Sequence, residues 1–120
     1  MDFSSDGAFT ALEGMDEGDL DALPFGVVGM TPDGSVTIYN RTESELAGLS
    51  RDTVVGHNFF YEVAPCMNNF MVAQKMFDAP ALDETLPYVL TVRMRPTKVK
   101  LRMLKGEDAE RMYLLIDRQS

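Results

Sequence analysis

Alternating apolar and polar positions begin at Phe25. The runs 26–30 (Gly-Val-Val-Gly-Met) and 35–39 (Ser-Val-Thr-Ile-Tyr) flank Pro32-Asp33-Gly34. Asp-Gly between two β-rich runs is a hairpin signal, so the pattern predicts strands near 26–30 and 35–39. The period then lengthens. Asn40 is placed to cap a short helix over Arg41–Ala47 that Gly48 stops, and Ser50 caps a further turn to Val55 closed by Gly56. A helix over Phe70–Phe77 would put Phe70, Ala73, Met76 and Phe77 on one side before Asp78-Ala79-Pro80 ends it. The last third reads as strand. Tyr88, Leu90, Val92 and Met94 alternate with Val89, Thr91, Arg93 and Arg95; Pro96-Thr97 permits a bend; Val99, Leu101 and Met103 alternate with Lys98, Lys100 and Arg102. Met112–Ile116 is apolar at every position, as a central strand covered on both faces would be. The intervening helices supply one cover. Residues 1–24 supply the other, because Phe9, Leu12, Met15, Leu20 and Leu23 form the stripes of two short helical turns, with Asp16 and Glu17 at a helix amino end.

Composition narrows the function classes. The 120 residues suit one domain, 1–120, with 1–24 as an amino-terminal helical cap and 25–118 as the core. A net charge of −8 opposes a nucleic-acid or anionic-membrane partner, since phosphate binding needs clustered Lys and Arg. No apolar run approaches the roughly 20 residues of a membrane span, and the amino terminus lacks the pattern of a signal peptide. One cysteine can form neither an internal disulfide nor a cysteine-rich metal site, and agrees with a reducing compartment. The expectation is a soluble cytoplasmic protein with no metal and no membrane insertion.

That cysteine, Cys66, lies in Asn58-Phe-Phe-Tyr-Glu-Val-Ala-Pro-Cys66-Met67. Pro65 fixes its own φ and biases Ala64 away from helix, so the thiol sits where a helical turn gives way to irregular backbone. By composition alone it is a small buried hydrophobe. The segment resembles the chromophore-attachment segment of the photoactive yellow protein family, light sensors built on the PAS fold. Leu23-Pro24-Phe25-Gly26, Tyr39-Asn40-Arg41-Thr42-Glu43, Gly56-His57-Asn58-Phe59-Phe60 and Met94-Arg95-Pro96-Thr97-Lys98-Val99-Lys100 resemble the family in the same order.

The resemblance implies an α+β PAS fold. Its five-stranded antiparallel sheet would have order 2-1-5-4-3, with short helices on one face and the amino-terminal cap on the other. It implies a blue-light receptor, not an enzyme, with 4-hydroxycinnamic acid (p-coumaric acid) joined to Cys66 as a thioester. Tyr39 and Glu43 would bond the phenolic oxygen, and Val28, Ala47, Val63, Ala64, Leu90 and Met94 would line the pocket, with Tyr88 beside them. Light would turn the chromophore from trans to cis, a proton would pass from Glu43, and an unknown downstream signalling protein would receive the output. The residue types suit this. A phenol, ordinarily neutral with a pKa near ~10, becomes an anion more easily when buried donors bond its oxygen.

Several local readings stay open. Asn40-x-x-Glu43 resembles a capping box that would keep Glu43 ionised at the surface. Tyr39 could be a strand-end aromatic with its hydroxyl in water, and His57 reads as a surface residue. The chain also departs from the family: Ala47 replaces a threonine that supports the tyrosine, Leu49 replaces a lid arginine with Arg51 two residues on, and Val92 replaces an aromatic. The competing function is a chromophore-free PAS module for ligand binding or protein interaction.

Overall fold

Strands β1 (Gly26–Met30), β2 (Val36–Tyr39), β3 (Leu82–Leu90), β4 (Thr97–Lys105) and β5 (Met112–Arg118) form one antiparallel sheet in the computed structural model. The structure describes residues 1–91, 96–107 and 110–118. The strand order is β2-β1-β5-β4-β3, as the resemblance implied. The hairpin between β1 and β2 closes where Asp33-Gly34 places it. Gly34 adopts φ 94°, and its N–H reaches the Thr31 carbonyl at 2.9 Å.

β5 is the central strand, and its alternation divides the core. Met112, Leu114 and Ile116 pack on one face with Val28, Tyr39, Phe59, Phe60, Met67 and Met76. Tyr113 and Leu115 pack on the other with Ala8, Leu12, Leu20 and Leu23, from the segment that carries α1 (Ala8–Glu13) and α2 (Glu17–Asp21). Each side chain from Met112 to Ile116 enters one of two apolar layers, which is why this part of the strand is apolar throughout.

On the first face lie α3 (Arg41–Ala47), α4 (Arg51–Val54) and α5 (Ala73–Asp78). Gly48 ends α3 in the left-handed region at φ 72°. Between α4 and α5 a π-helical turn covers Phe59–Val63 and a 3-10 turn covers Pro65–Met67.

Three boundaries differ from the sequence reading. α5 begins at Ala73 because the Asn69 side chain accepts the N–H groups of Met71 and Val72, turning the chain before the helix starts. Phe70 is thereby left 74% exposed and outside the core. β3 begins at Leu82 and carries Pro87, which an edge strand accommodates. β5 runs two residues past Ile116, through Asp117 to Arg118, which brings a charged side chain to the helix-covered face.

Candidate functional site

The site is built outward from Asn40, between β2 and α3. Asn40 is buried, and its side chain makes four hydrogen bonds. Oδ1 accepts the N–H groups of Val27 (2.9 Å) and Glu43 (3.0 Å), while Nδ2 donates to the carbonyls of Leu20 (2.8 Å) and Phe25 (3.1 Å). One amide thus caps α3 and ties it to β1 and to the amino-terminal segment. Tyr39 ends β2 on the near side of this corner, and Glu43 follows one turn into α3.

Glu43 turns inward. Half of a capping box is present, because Asn40 caps the Glu43 N–H, but the Asn40 N–H donates to the Val27 carbonyl and leaves the Glu43 carboxylate free. That carboxylate meets Arg118 in a fork: Nη1 donates to Oε1 at 2.5 Å and Nη2 to Oε2 at 2.9 Å. Both side chains are sequestered, 4% exposed for Glu43 and 14% for Arg118. Gly26 makes room, since a β-carbon there would stand 2.1 Å from Glu43 Oε1. Burial raises the Glu43 carboxyl above the ordinary carboxylate range, while the bonds and charge of Arg118 pull it down.

Tyr39 is 2% exposed and paired with Val28 across β1 and β2. Burial first, and the Glu43 charge second, raise its pKa well above that of a free phenol; Arg118 acts in the opposite sense.

Cys66 sits at the middle of the 3-10 turn, a free and half-buried thiol packed against the same core as Tyr39. Its backbone is fixed from two sides. Tyr88 donates its hydroxyl to the Cys66 carbonyl at 2.6 Å, and Asn69 Nδ2 reaches that carbonyl at 3.3 Å and the Tyr88 oxygen at 2.6 Å. The preceding π-helical turn is capped by Asn58, whose Oδ1 accepts from Phe60 and Tyr61, and Ala64 bends to φ −135° before Pro65. Val28, Ala64 and Leu90 are buried in the core that Cys66 joins, and Val63 and Leu49 pack against it. Ala47 is half-buried at the end of α3. Met94 and Val92 lie outside the described residues. His57 is exposed and faces Glu62 at 3.3 Å.

Arg51 faces away from this core. Its Nε donates to the Tyr39 carbonyl at 2.8 Å, and its two remaining nitrogens reach Glu17 and Asp21, each at 2.6 Å. It therefore clasps the amino-terminal segment to the end of β2.

The photoactive yellow protein of Halochromatium salexigens is 32% identical over 119 residues, covering 97% of this chain and 95% of that protein. The chain belongs to the photoactive yellow protein family. The family member of Cereibacter sphaeroides is 46% identical over 99 residues, 80% of each chain. Among solved structures, the photoactive yellow protein domain of the sensor histidine kinase Ppr from Rhodospirillum centenum superposes with a TM-score of 0.82 at 34% identity, covering 89% of this chain and 96% of that one. A PAS domain from Haloarcula marismortui, at TM-score 0.68 and 13% identity, shares the fold. No protein-family model matches the chain. The protein is thus a PAS-fold member of a family of non-enzymatic photoreceptors.

Two residues of the site escaped the sequence reading. Arg118 stands two positions beyond Ile116, so the period of 2 along β5 would have sent it to the same face had the strand been carried that far. Gly26 offered no signal of its own, because its importance lies in an atom brought against it from α3.

Proposed function

We propose that this protein is a blue-light receptor that carries 4-hydroxycinnamic acid as a thioester on Cys66. Tyr39 and Glu43 hold the phenolic end, with Val28, Ala47, Val63, Ala64 and Leu90 as walls. The observation that carries this reading is the set of groups that the fold gathers: a free thiol on a doubly anchored turn, a buried phenol at the end of β2, and a buried carboxyl pressed against Gly26. A small acylating phenolic acid matches all three, since a thiol takes the acyl carbon and the two oxygen groups take the phenol.

When bound, that group supplies visible absorption and a double bond that light turns from trans to cis. The chain supplies the rest. Cys66 holds the acyl end in place through a backbone that Tyr88 and Asn69 restrain. Tyr39 would donate a hydrogen bond from its hydroxyl to the phenolic oxygen and keep its proton, and Phe59, Phe60 and Met67 exclude water. Glu43 exchanges one proton with the same oxygen. Loss of that proton places a carboxylate in a buried site, a charge that costs several kcal/mol wherever it lacks a partner. Rearrangement of the surrounding helices in response would be the signal. A downstream signalling protein would read it, as the sensor-kinase context of the solved relative supports. The lone free thiol supports work in the reducing cytoplasm.

Purified protein treated with activated 4-hydroxycinnamate should turn yellow, gain the mass of one acyl group, and lose a protonated-carboxyl infrared band under blue light. Cys66→Ala should stay colourless. Wild-type protein that neither colours nor gains mass would instead favour the chromophore-free interaction module.

A further inference from the structure

We propose that Arg118 biases where the exchangeable proton of the Tyr39–Glu43 site rests, drawing negative charge onto Glu43 and leaving the proton on the phenolic oxygen in a fraction of the molecules before illumination. This deepens the chromophore reading and rests on it. The resemblance implied two partners for that oxygen, Tyr39 and Glu43, and named no counter-ion for Glu43. The structure supplies the counter-ion from the last turn-free stretch of β5, 75 residues away along the chain.

The fork is the first argument. Two parallel N–H···O bonds require both carboxyl oxygens as acceptors. A protonated carboxyl has one oxygen that must also donate, so protonating Glu43 weakens the grip. Enclosure is the second. Oε1 occupies the space that a side chain at position 26 would fill, so main chain of β1 closes one side of the carboxylate. With both side chains mostly shielded, water screens the pair poorly.

Charge counting gives the consequence. Glu43 and a bound phenol together hold one proton and one negative charge. Without Arg118, the phenol competes well for the charge, because its ring delocalises it and burial alone favours a neutral carboxyl. With the guanidinium gripping Glu43, the charge is drawn to the carboxylate and the proton to the phenolic oxygen. Before illumination this yields a fraction of neutral phenol, absorbing to the blue of the phenolate. After light-driven transfer, the Glu43 carboxylate already has its partner, so the charge that drives loosening of the fold is partly compensated. Tyr39, which among the described residues also feels the charges of the pair, would donate a hydrogen bond to the phenolic oxygen in either case.

The test compares wild type, Arg118→Gln and Arg118→Lys, with and without bound 4-hydroxycinnamate. In chromophore-free protein, infrared spectra referenced to Glu43→Gln should show Glu43 as a carboxylate in wild type and as a protonated carboxyl in Arg118→Gln at neutral pH. In loaded protein, the ratio of phenolate to neutral-phenol absorbance should rise on the order of tenfold in Arg118→Gln, the effect of losing one charge-assisted hydrogen bond. Arg118→Lys keeps the charge without the fork and should fall between; it also serves if the glutamine variant does not fold. Coloured wild type with a protonated Glu43 and a spectrum indifferent to both variants overturns the inference and leaves the chromophore reading standing. Colourless wild type overturns both, whatever the infrared bands show.

Discussion

A β-carbon on Gly26 would stand 2.1 Å from Glu43 Oε1, so the carboxylate of α3 lies where any other residue of β1 would have its side chain. The contact joins the first strand to the site by exclusion. Gly26→Ala should push Glu43 off its fork with Arg118 and destabilise the fold by about 1–3 kcal/mol, the range of overpacked cores. Denaturant midpoints check this. Glu43→Ala removes the two nearest atoms in conflict, Oε1 and Cδ, so the double variant should be more stable than the two single losses added together. Strict additivity would mean that Gly26 acts through something other than Glu43.

Asn40 carries more than a helix cap. Its removal in Asn40→Ala leaves the N–H groups of Val27 and Glu43 and the carbonyls of Leu20 and Phe25 without this partner. The expected loss is on the order of 3 kcal/mol, above the ~1 kcal/mol of an ordinary cap. Asn40→Asp separates the two roles. It keeps the acceptor for α3 but faces the carbonyls of Leu20 and Phe25 with a second acceptor, so amide exchange should quicken in residues 20–25 and stay slow at Glu43. Equal exposure of both regions would contradict the division of labour.

How far the chain could be read before folding depends on where each signal lies. The Asp33-Gly34 turn, the cap at Asn40 and the doubly apolar Met112–Ile116 strand are local patterns, and each appears in the structure within a residue or two. The order of strands came through the resemblance, since turn chemistry joins neighbours but does not say that β5 lies beside β1. Phe70 misled because helical spacing says nothing of Asn69 capturing the next two amides. Arg118 escaped because a charged residue after Asp117 looked like the end of a buried strand. Cys66, Tyr39 and Glu43 were singled out by the resemblance alone, and the Glu43 environment became legible only when β1, α3 and β5 were brought together.

Arg51 bridges two parts of the molecule that sequence separation keeps far apart. It holds the Tyr39 carbonyl with one nitrogen and Glu17 and Asp21 with the others. Glu17 is 79% exposed, so that arm contributes little, whereas Asp21 is shielded and also accepts the Arg41 N–H at 2.7 Å. Arg51→Ala should therefore cost about 1 kcal/mol globally, with a larger local effect: faster amide exchange and proteolysis in α2. Raising the salt concentration in wild type should mimic only the Glu17 part. An α2 as protected in Arg51→Ala as in wild type would show that apolar packing by Leu20 and Leu23 suffices.

The far end of the amino-terminal segment is held by a second arginine, and this one gives stability an acid limb. Arg102, on β4, is 6% exposed. Its fork takes Asp83 Oδ1 and Oδ2, each at 2.8 Å, while Nη1 donates to the carbonyls of Phe3 (2.9 Å) and Ser5 (2.8 Å). The hydrogen bonds from Arg102 hold the Asp83 carboxyl below its ordinary range, against a smaller opposing effect of burial. The sign follows from linkage. A depressed folded-state pKa gives stability that is fully present above the unfolded value, near ~3.9, and is lost as pH falls through the folded one. Asp83→Asn should be less stable than wild type at neutral pH and should lose less on acidification, so that the two converge in strong acid. Denaturation midpoints taken down that range decide it, and an acid slope identical in both proteins would place the proton uptake elsewhere.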